Sequence, residues 1–171
     1  SSAVGQETAV KLFSFSPFLK GKTVWIDRRT VEFTPQERLV SGQLYEVGFS
    51  LSELLEVPEE LSEFEFTFQV IPQNFELTIE NTRPYVKTEL TRQKIEGMLS
   101  TADVADQTAV EKIMEARQEG KPLRVSWIHS ADGKQHNFSI EEVSRKDAPG
   151  KVSLAVNGSG LGISQTQEME V

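Results

Sequence analysis

The sequence predicts a mainly β protein with two tandem antiparallel β-sandwich domains of immunoglobulin-like type, the second carrying one short α-helix. Three observations lead to this fold class. Apolar and polar residues alternate with a period of two in most of the chain, short turn signals separate the alternating segments, and only one segment has the spacing of a helix.

The alternation is clearest at residues 63–70, where apolar residues occupy every second position: Phe64, Phe66, Phe68 and Val70. Such a pattern predicts a strand with one buried and one solvated face. The same alternation occurs at residues 45–51, 75–79 and 152–156. These four segments are the predicted core strands of the two sandwiches.

The first predicted hairpin joins residues 24–26 to residues 31–33. If Arg28 and Arg29 form a two-residue turn, the register opposes Ile26 with Val31 and Val24 with Phe33. All four apolar side chains would then share one face. Trp25 would lie on the opposite face, where it is a candidate for an interaction surface.

The second predicted hairpin has a stronger turn signal, Asp132-Gly133. A two-residue turn there opposes Val125 with Ile140, Trp127 with Phe138, and His129 with His136. The register therefore predicts a cross-strand histidine pair on the same face as the aromatic pair.

One helix is predicted over about residues 107–119. Its apolar stripe has the spacing i, i+3, i+4 and i+7 and consists of Val110, Ile113, Met114 and the stem of Arg117. Asp106 can cap the start, and Gly120 followed by Pro122 marks the end. A shorter helical turn is expected at residues 52–56.

The domain boundary is predicted near Ile71-Pro72-Gln73. Eight of the ten phenylalanines precede it, which indicates two separate cores. The predicted domains are residues 1–72 and residues 73–171. The first offers few strands for a sandwich, and we expect it to be incomplete. We expect the chain to be an excised piece of a longer protein.

Charge and composition exclude several functions. The net charge of −8 and pI of 4.9 are unfavourable for binding nucleic acid or anionic lipid. The chain has no cysteine, which excludes disulfides, thiol nucleophiles and cysteine-ligated zinc. No apolar run approaches the roughly 20 residues of a membrane-spanning helix, so we expect no direct membrane insertion.

The chemical candidates are few. His129 and His136 could ligate zinc or copper, with Asp132 as the nearest carboxylate, or they could form a simple stacked pair. Residues 158–162, with three glycines, resemble a phosphate loop only in glycine content and predict a tight turn. The acidic run at residues 53–65 lacks the order of a calcium loop and predicts a solvated face. We predict that the chain is not an enzyme and that it has no catalytic residue and no cofactor.

Several stretches resemble one protein family. They are LFSFSP at 12–17, KGKTVWID at 20–27, RTVEF at 29–33, LVSGQLY at 39–45, and STADVAD at 100–106 continuing into VEKI at 110–113. Together these stretches resemble the N-terminal macroglobulin-like domains of bacterial alpha-2-macroglobulins, especially those of Bacteroidetes. The run at 100–106 is the most specific of them.

The resemblance implies two macroglobulin-like β-sandwiches from a long periplasmic or cell-surface protein that is held by a lipid anchor outside this chain. Members of the family trap proteases after cleavage of a bait segment, and many carry a cysteine-dependent thioester. The absence of cysteine places any thioester elsewhere. The implied role is a non-catalytic structural segment whose partners are other domains of the same chain and, through the whole protein, target proteases. A surface adhesin or carbohydrate-binding module, using Trp25, is the alternative.

Overall fold

The computed structural model describes residues 4–86, 89–145 and 150–171. The chain divides into two compact units, Ser1–Ile71 and Pro72–Val171, one residue from the predicted boundary. Strands account for 53% of the described residues and helices for 11%. The fold class is therefore the mainly β, immunoglobulin-like sandwich class that the alternation predicts.

The first unit contains two small antiparallel sheets. One has the strand order β1-β4-β5 and the other pairs β2 with β3. A 3-10 turn at Leu51–Glu53, close to the predicted helical turn, and another at Glu59–Leu61 connect β4 to β5. The strand bounds are β1 Phe13–Ser16, β2 Gly21–Trp25, β3 Val31–Pro35, β4 Leu44–Ser50 and β5 Glu63–Gln69.

Aromatic contacts hold the two sheets of the first unit together. The ring of Phe33, from β3, lies 4.4 Å from that of Phe15 and 6.1 Å from that of Phe13, both on β1. Phe13 also contacts Phe49 of β4, with ring centroids 5.0 Å apart. These side chains form the packed part of the unit because they lie on the facing sides of the two sheets.

The predicted register of the first hairpin is wrong by one residue on the β2 side. Trp25 pairs with Val31 and Thr23 pairs with Phe33. The connection is longer than a two-residue turn, because Asp27 accepts hydrogen bonds from the Arg29 amide and the Thr30 hydroxyl. Trp25 therefore lies on the same face of the hairpin as Val31, whereas the predicted register put it on the other face.

The strand predicted at residues 63–70 exists as β5, but its apolar face is not buried. Phe64 and Phe66 are 64% and 42% exposed, and Phe68 is half-buried. The alternation correctly predicts the strand. It incorrectly predicts the burial: Phe33 of the second sheet packs against Phe13 and Phe15 of β1, while Phe64 and Phe66 of β5 remain exposed.

The second unit is a sandwich of two four-stranded antiparallel sheets, with strand orders β10-β11-β7-β6 and β13-β12-β8-β9. A 3-10 turn at Gly158–Leu161 joins β12 to β13. The bounds are β6 Phe75–Val86, β7 Glu89–Thr101, α1 Gln107–Ile113, β8 Met114–Gln118, β9 Lys121–Leu123, β10 Val125–His129, β11 Gln135–Ser144, β12 Val152–Asn157 and β13 Thr166–Glu170.

The core of the second unit lies between these sheets. Each sheet contributes the apolar side chains of alternate positions, and α1 closes one end with Val110 and Ile113. The fully buried side chains, all less than 2% exposed, include Leu99, Val110, Ile140, Leu154 and Val156. Leucine, isoleucine and valine at these positions explain why the alternating segments of this half pair as predicted.

The helix is shorter than predicted. It ends at Ile113, and residues Met114–Gln118 form strand β8 instead of the last helical turns. The burial of β8 alternates strictly, with Met114, Ala116 and Gln118 inside. Strands β12 and β9 pair with β8 and supply its backbone hydrogen bonds. This pairing favours a strand over the helix that the spacing of the apolar residues predicts.

Candidate functional site

The histidine pair lies where the hairpin register predicts it. Strands β10 and β11 oppose Val125 with Ile140, Trp127 with Phe138, and His129 with His136. The connection is not the predicted two-residue turn. The Ser130 amide donates to the Gln135 carbonyl and the Gly133 amide to the Ser130 carbonyl, which leaves a four-residue loop with the same centre and therefore the same register. Gly133 adopts a left-handed φ of 67° in this loop, which glycine provides without strain. The predicted cross-strand pair is confirmed, with 2.8 Å between the two Nδ1 atoms.

A third residue extends the pair into a chain. Glu111, on α1, places Oε1 at 3.2 Å from Nε2 of His129. The sequence analysis proposed Asp132 as the nearest carboxylate, because α1 could not be positioned over the hairpin from sequence. Asp132 instead accepts hydrogen bonds from the Ser130 hydroxyl and the Lys134 amide within the turn. These bonds lower the pKa of Asp132.

The hydrogen-bond chain constrains where the protons of the pair lie. A carboxylate only accepts, so Nε2 of His129 carries the proton that bonds Glu111. One proton lies between the two Nδ1 atoms, and the tautomer decides which ring donates it. Nε2 of His136 is buried without a partner among the described residues.

The environment of His136 disfavours its protonation. Its side chain is fully buried beside the core position of Leu99 on β7, and the ring of Trp127 stacks on His129 with centroids 6.0 Å apart. Burial lowers the pKa of His136, and the nearby His129 lowers it further, while Asp132 acts weakly in the opposite direction. The pair is therefore a structural hydrogen-bonded element of the core edge.

This geometry does not resemble a metal centre. Among the described residues, no group of three or more histidine, aspartate or glutamate side chains converges on one point. The facing Nδ1 atoms bond each other directly, and His129 uses its other nitrogen for Glu111. A metal ion would have to displace both hydrogen bonds, and a closed site needs about four ligands.

The glycine-rich segment forms the turn that the sequence analysis expected. The 3-10 turn Gly158–Leu161 is followed by Gly162 with φ 73°. Asn157 caps this turn by accepting from the Ser159 amide, and Gly158 is buried. A Cβ at Gly158 would lie 2.8 Å from Cβ of Ile163. The glycine serves close packing rather than phosphate binding.

The acidic segment lies on the surface of the first unit, as expected. Each of its carboxylate-bearing residues is exposed: Glu53, Glu56, Glu59, Glu60, Glu63 and Glu65. None belongs to a cluster that could hold a metal ion among the described part of the chain.

Trp25 is half-buried at the end of β2. Its amide donates to the carbonyl of Gln6, and its carbonyl accepts from the amide of Gly5, so a strand-like N-terminal segment lies along β2. Glu7 and Val24 form a bridge in the same pairing. The role of Trp25 as an interaction surface stays a prediction.

The run at residues 100–106 connects β7 to α1 and fastens both to neighbouring elements. The Thr101 amide donates to the Lys134 carbonyl, and the Ala105 amide donates to the Gly133 carbonyl, both at the β10–β11 turn. Asp106 caps α1 by accepting from the Ala109 amide at 2.9 Å. The predicted cap is confirmed.

Gln73 completes this connection, although the sequence gives no sign of its role. Its side-chain amide bonds the backbone of Asp103 twice: Nε2 donates to the carbonyl at 2.9 Å, and Oε1 accepts from the amide at 2.8 Å. The glutamine side chain thus satisfies both backbone groups of Asp103, as a neighbouring strand would do. Glu111 could not be found from the sequence either, because an acidic residue on the exposed side of a helix gives no sign of the element that it will reach.

No helix among the described residues is long and apolar enough to span a membrane. Comparison of the sequence with models of known families and with curated proteins finds no match.

Proposed function

We propose that this chain is a non-catalytic structural and interaction segment of a bacterial alpha-2-macroglobulin-like protease inhibitor. The observation that carries the proposal is that residues 100–106 connect three elements of the second unit by hydrogen bonds. This run, the most specific part of the resemblance, uses its backbone and the Asp106 carboxylate to hold β7, α1 and the β10–β11 turn together.

The chemistry of the remaining candidates supports the same role. Glu111, His129 and His136 bond one another at the edge of a packed core, and these bonds occupy both nitrogens of His129 and Nδ1 of His136, while Nε2 of His136 is buried. The partners under this proposal are the other domains of the same long chain and, through the whole protein, target proteases. Its location is then periplasmic or at the cell surface, through a lipid anchor outside residues 1–171.

The test uses the full-length protein that contains this chain. It is mixed with a broad-specificity protease, and residual activity is followed on a large protein substrate and on a small peptide. Loss of activity on the large substrate with retained peptide cleavage is the result expected of a trap. Unchanged activity on both substrates across several proteases would overturn the inhibitor assignment.

The non-catalytic part of the proposal has its own measurement. Glu111→Gln and His129→Gln variants of the full-length protein, checked for folding by circular dichroism, should trap protease as well as the parent does. Loss of trapping in a variant that keeps its fold and its unfolding temperature would show that these groups perform chemistry.

A further inference from the structure

The three-stranded sheet of the first unit has an apolar face that is only partly covered. On this face β5 carries Phe64, Phe66 and Phe68. Their partners on the neighbouring strand β4 are Phe49, Val47 and Tyr45, respectively. Phe33 packs over the β1 side of the sheet, where it contacts Phe13 and Phe15. Coverage ends before the β5 side, where the two leading phenylalanines remain exposed.

Strand β5 is also an edge. Within the described residues it pairs only with β4, so its other side has no strand to bond its backbone amides and carbonyls. All of its residues except Phe68 are exposed. An apolar strand of seven residues with a free edge is a surface to which an extended peptide can add as the next strand.

The opposite face of β5 carries negative charge. Glu63 and Glu65 point outward beside Ser50 and Gly48 of β4. In the described part of the chain, no lysine or arginine forms an ion pair with either carboxylate. Residues 1–72 contain 11 acidic and 6 basic side chains, so the surrounding field has the same sign.

We propose that the free edge of β5 binds an extended strand of a partner protein in which apolar side chains alternate with lysine or arginine. The apolar side chains of that strand would cover Phe64 and Phe66. Its cations would lie opposite Glu63 and Glu65, because side chains of adjacent strands that share a face come within about 5.5 Å. The alternation and the charge of β5 therefore specify the chemistry of the occupant.

A second copy of this chain offers no cations to the edge. Fully overlapped antiparallel pairing of β5 with itself would oppose Glu63 with Gln69 and Glu65 with Thr67, so neither carboxylate would face a cation. The other strands with a free edge in the first unit offer no alternating cations of the required length. The charge pattern of β5 therefore favours a strand of a different polypeptide.

The binding test uses the 171-residue chain and a fluorescent seven-residue peptide in which lysine alternates with valine. Two peptides serve as controls: one with glutamate in place of lysine, and one with the same composition in scrambled order. In fluorescence anisotropy, the dissociation constant of the alternating lysine peptide should be at least about tenfold lower than that of either control. Methylation of its backbone amides should abolish binding.

Matched variants assign the binding to β5. Phe64→Ser should weaken the complex about tenfold, because the peptide then covers less apolar surface. Phe18→Ser removes another exposed phenylalanine, 73% exposed and outside β5, and should leave affinity unchanged. Each variant has its fold checked by circular dichroism, and amide shifts in the nuclear magnetic resonance spectrum should concentrate in residues 63–69.

Charge reversal supplies the sharpest comparison. The double variant Glu63→Lys, Glu65→Lys should prefer the glutamate peptide, whereas Glu59→Lys, Glu60→Lys changes the net charge equally on an adjacent turn and should not. Equal binding of the scrambled peptide, or no binding of any peptide, would overturn the proposal. Dimerisation that Phe64→Ser abolishes would overturn it too, since the occupant would be a second copy.

Discussion

The Nδ1 atoms of His129 and His136 face each other at 2.8 Å across the β10–β11 hairpin. The carboxylate of Glu111 accepts from Nε2 of His129, so one proton lies between the two facing nitrogens. Nε2 of His136 is buried without a partner among the described residues. Protonation of His136 would place a charge and an unpartnered donor in the core, which makes this end of the network sensitive to acid.

The second unit should lose stability as the pH falls below about 6.5, the pKa of an unfolded histidine. The pKa of His136 is lowered in the folded state, first by burial and then by His129. Below about pH 6.5 the unfolded chain therefore binds more protons than the folded chain. The free energy of unfolding should fall by up to about 1.4 kcal/mol per pH unit until the folded pKa is reached.

Urea unfolding at a series of pH values measures this effect. Because carboxylates elsewhere also titrate in acid, the informative quantity is the difference between the parent and His136→Phe, which has no group to protonate there. The difference should shrink or change sign as the pH falls. A difference that stays constant down to about pH 5 would contradict the assignment.

Replacement of Gln118 by alanine should destabilise the second unit by about 1–3 kcal/mol. Gln118, on β8, is 8% exposed and bonds the backbone of Ser144 on β11 twice, with both distances 2.9 Å. The substitution removes both hydrogen bonds and the buried side chain that makes them, and it leaves the Ser144 amide and carbonyl without these partners. Chemical denaturation measures the loss, and Gln135→Ala, at an exposed position of β11, is a control that should change stability little.

Gly97→Ala should destabilise the second unit by about 2 kcal/mol or more. A Cβ at this position of β7 would lie 2.4 Å from Cζ of Phe138 and 2.4 Å from the carbonyl oxygen of Thr78. The carbonyl cannot move without breaking the strand pair. The matched control is Gly150→Ala, where the nearest atom would be Nε2 of Gln118 at 3.7 Å, and equal unfolding temperatures for the two variants would refute the expectation.

Asp106→Ala should cost about 1 kcal/mol, because the helix loses the side chain that accepts from the Ala109 amide. Asp106→Asn keeps an acceptor at the cap and should retain most of the stability. Urea denaturation of the three proteins at one pH separates the outcomes. A similar loss in both variants would show that negative charge, rather than the cap hydrogen bond, is what matters.

The two hairpins show when a register can be predicted. Asp132-Gly133 marks the centre of the connection, and both the predicted two-residue turn and the observed four-residue loop around that centre give the same pairs up to Val125 and Ile140. Arg28 and Arg29 impose no such geometry. The Asp27 carboxylate instead organises a longer connection, which shifts Trp25 to face Val31.

The end of the helix shows a different limit. Val110, Ile113 and Met114 have helical spacing, but Met114, Ala116 and Gln118 also have the spacing of a strand. Both periods fit so short a segment, and only the positions of β12 and β9, which come later in the chain, decide between them.

By itself the sequence determined the features that local chemistry imposes. These are the alternation that makes β4, β5, β6 and β12, the centre of the β10–β11 connection at Gly133, the cap at Asp106, and the opposition of His129 and His136. Only the tertiary structure decided which atoms meet across elements. Glu111 reaches His129, Gln118 reaches Ser144, and the face of β5 stays open, because each depends on how separate elements pack, which residue spacing does not encode.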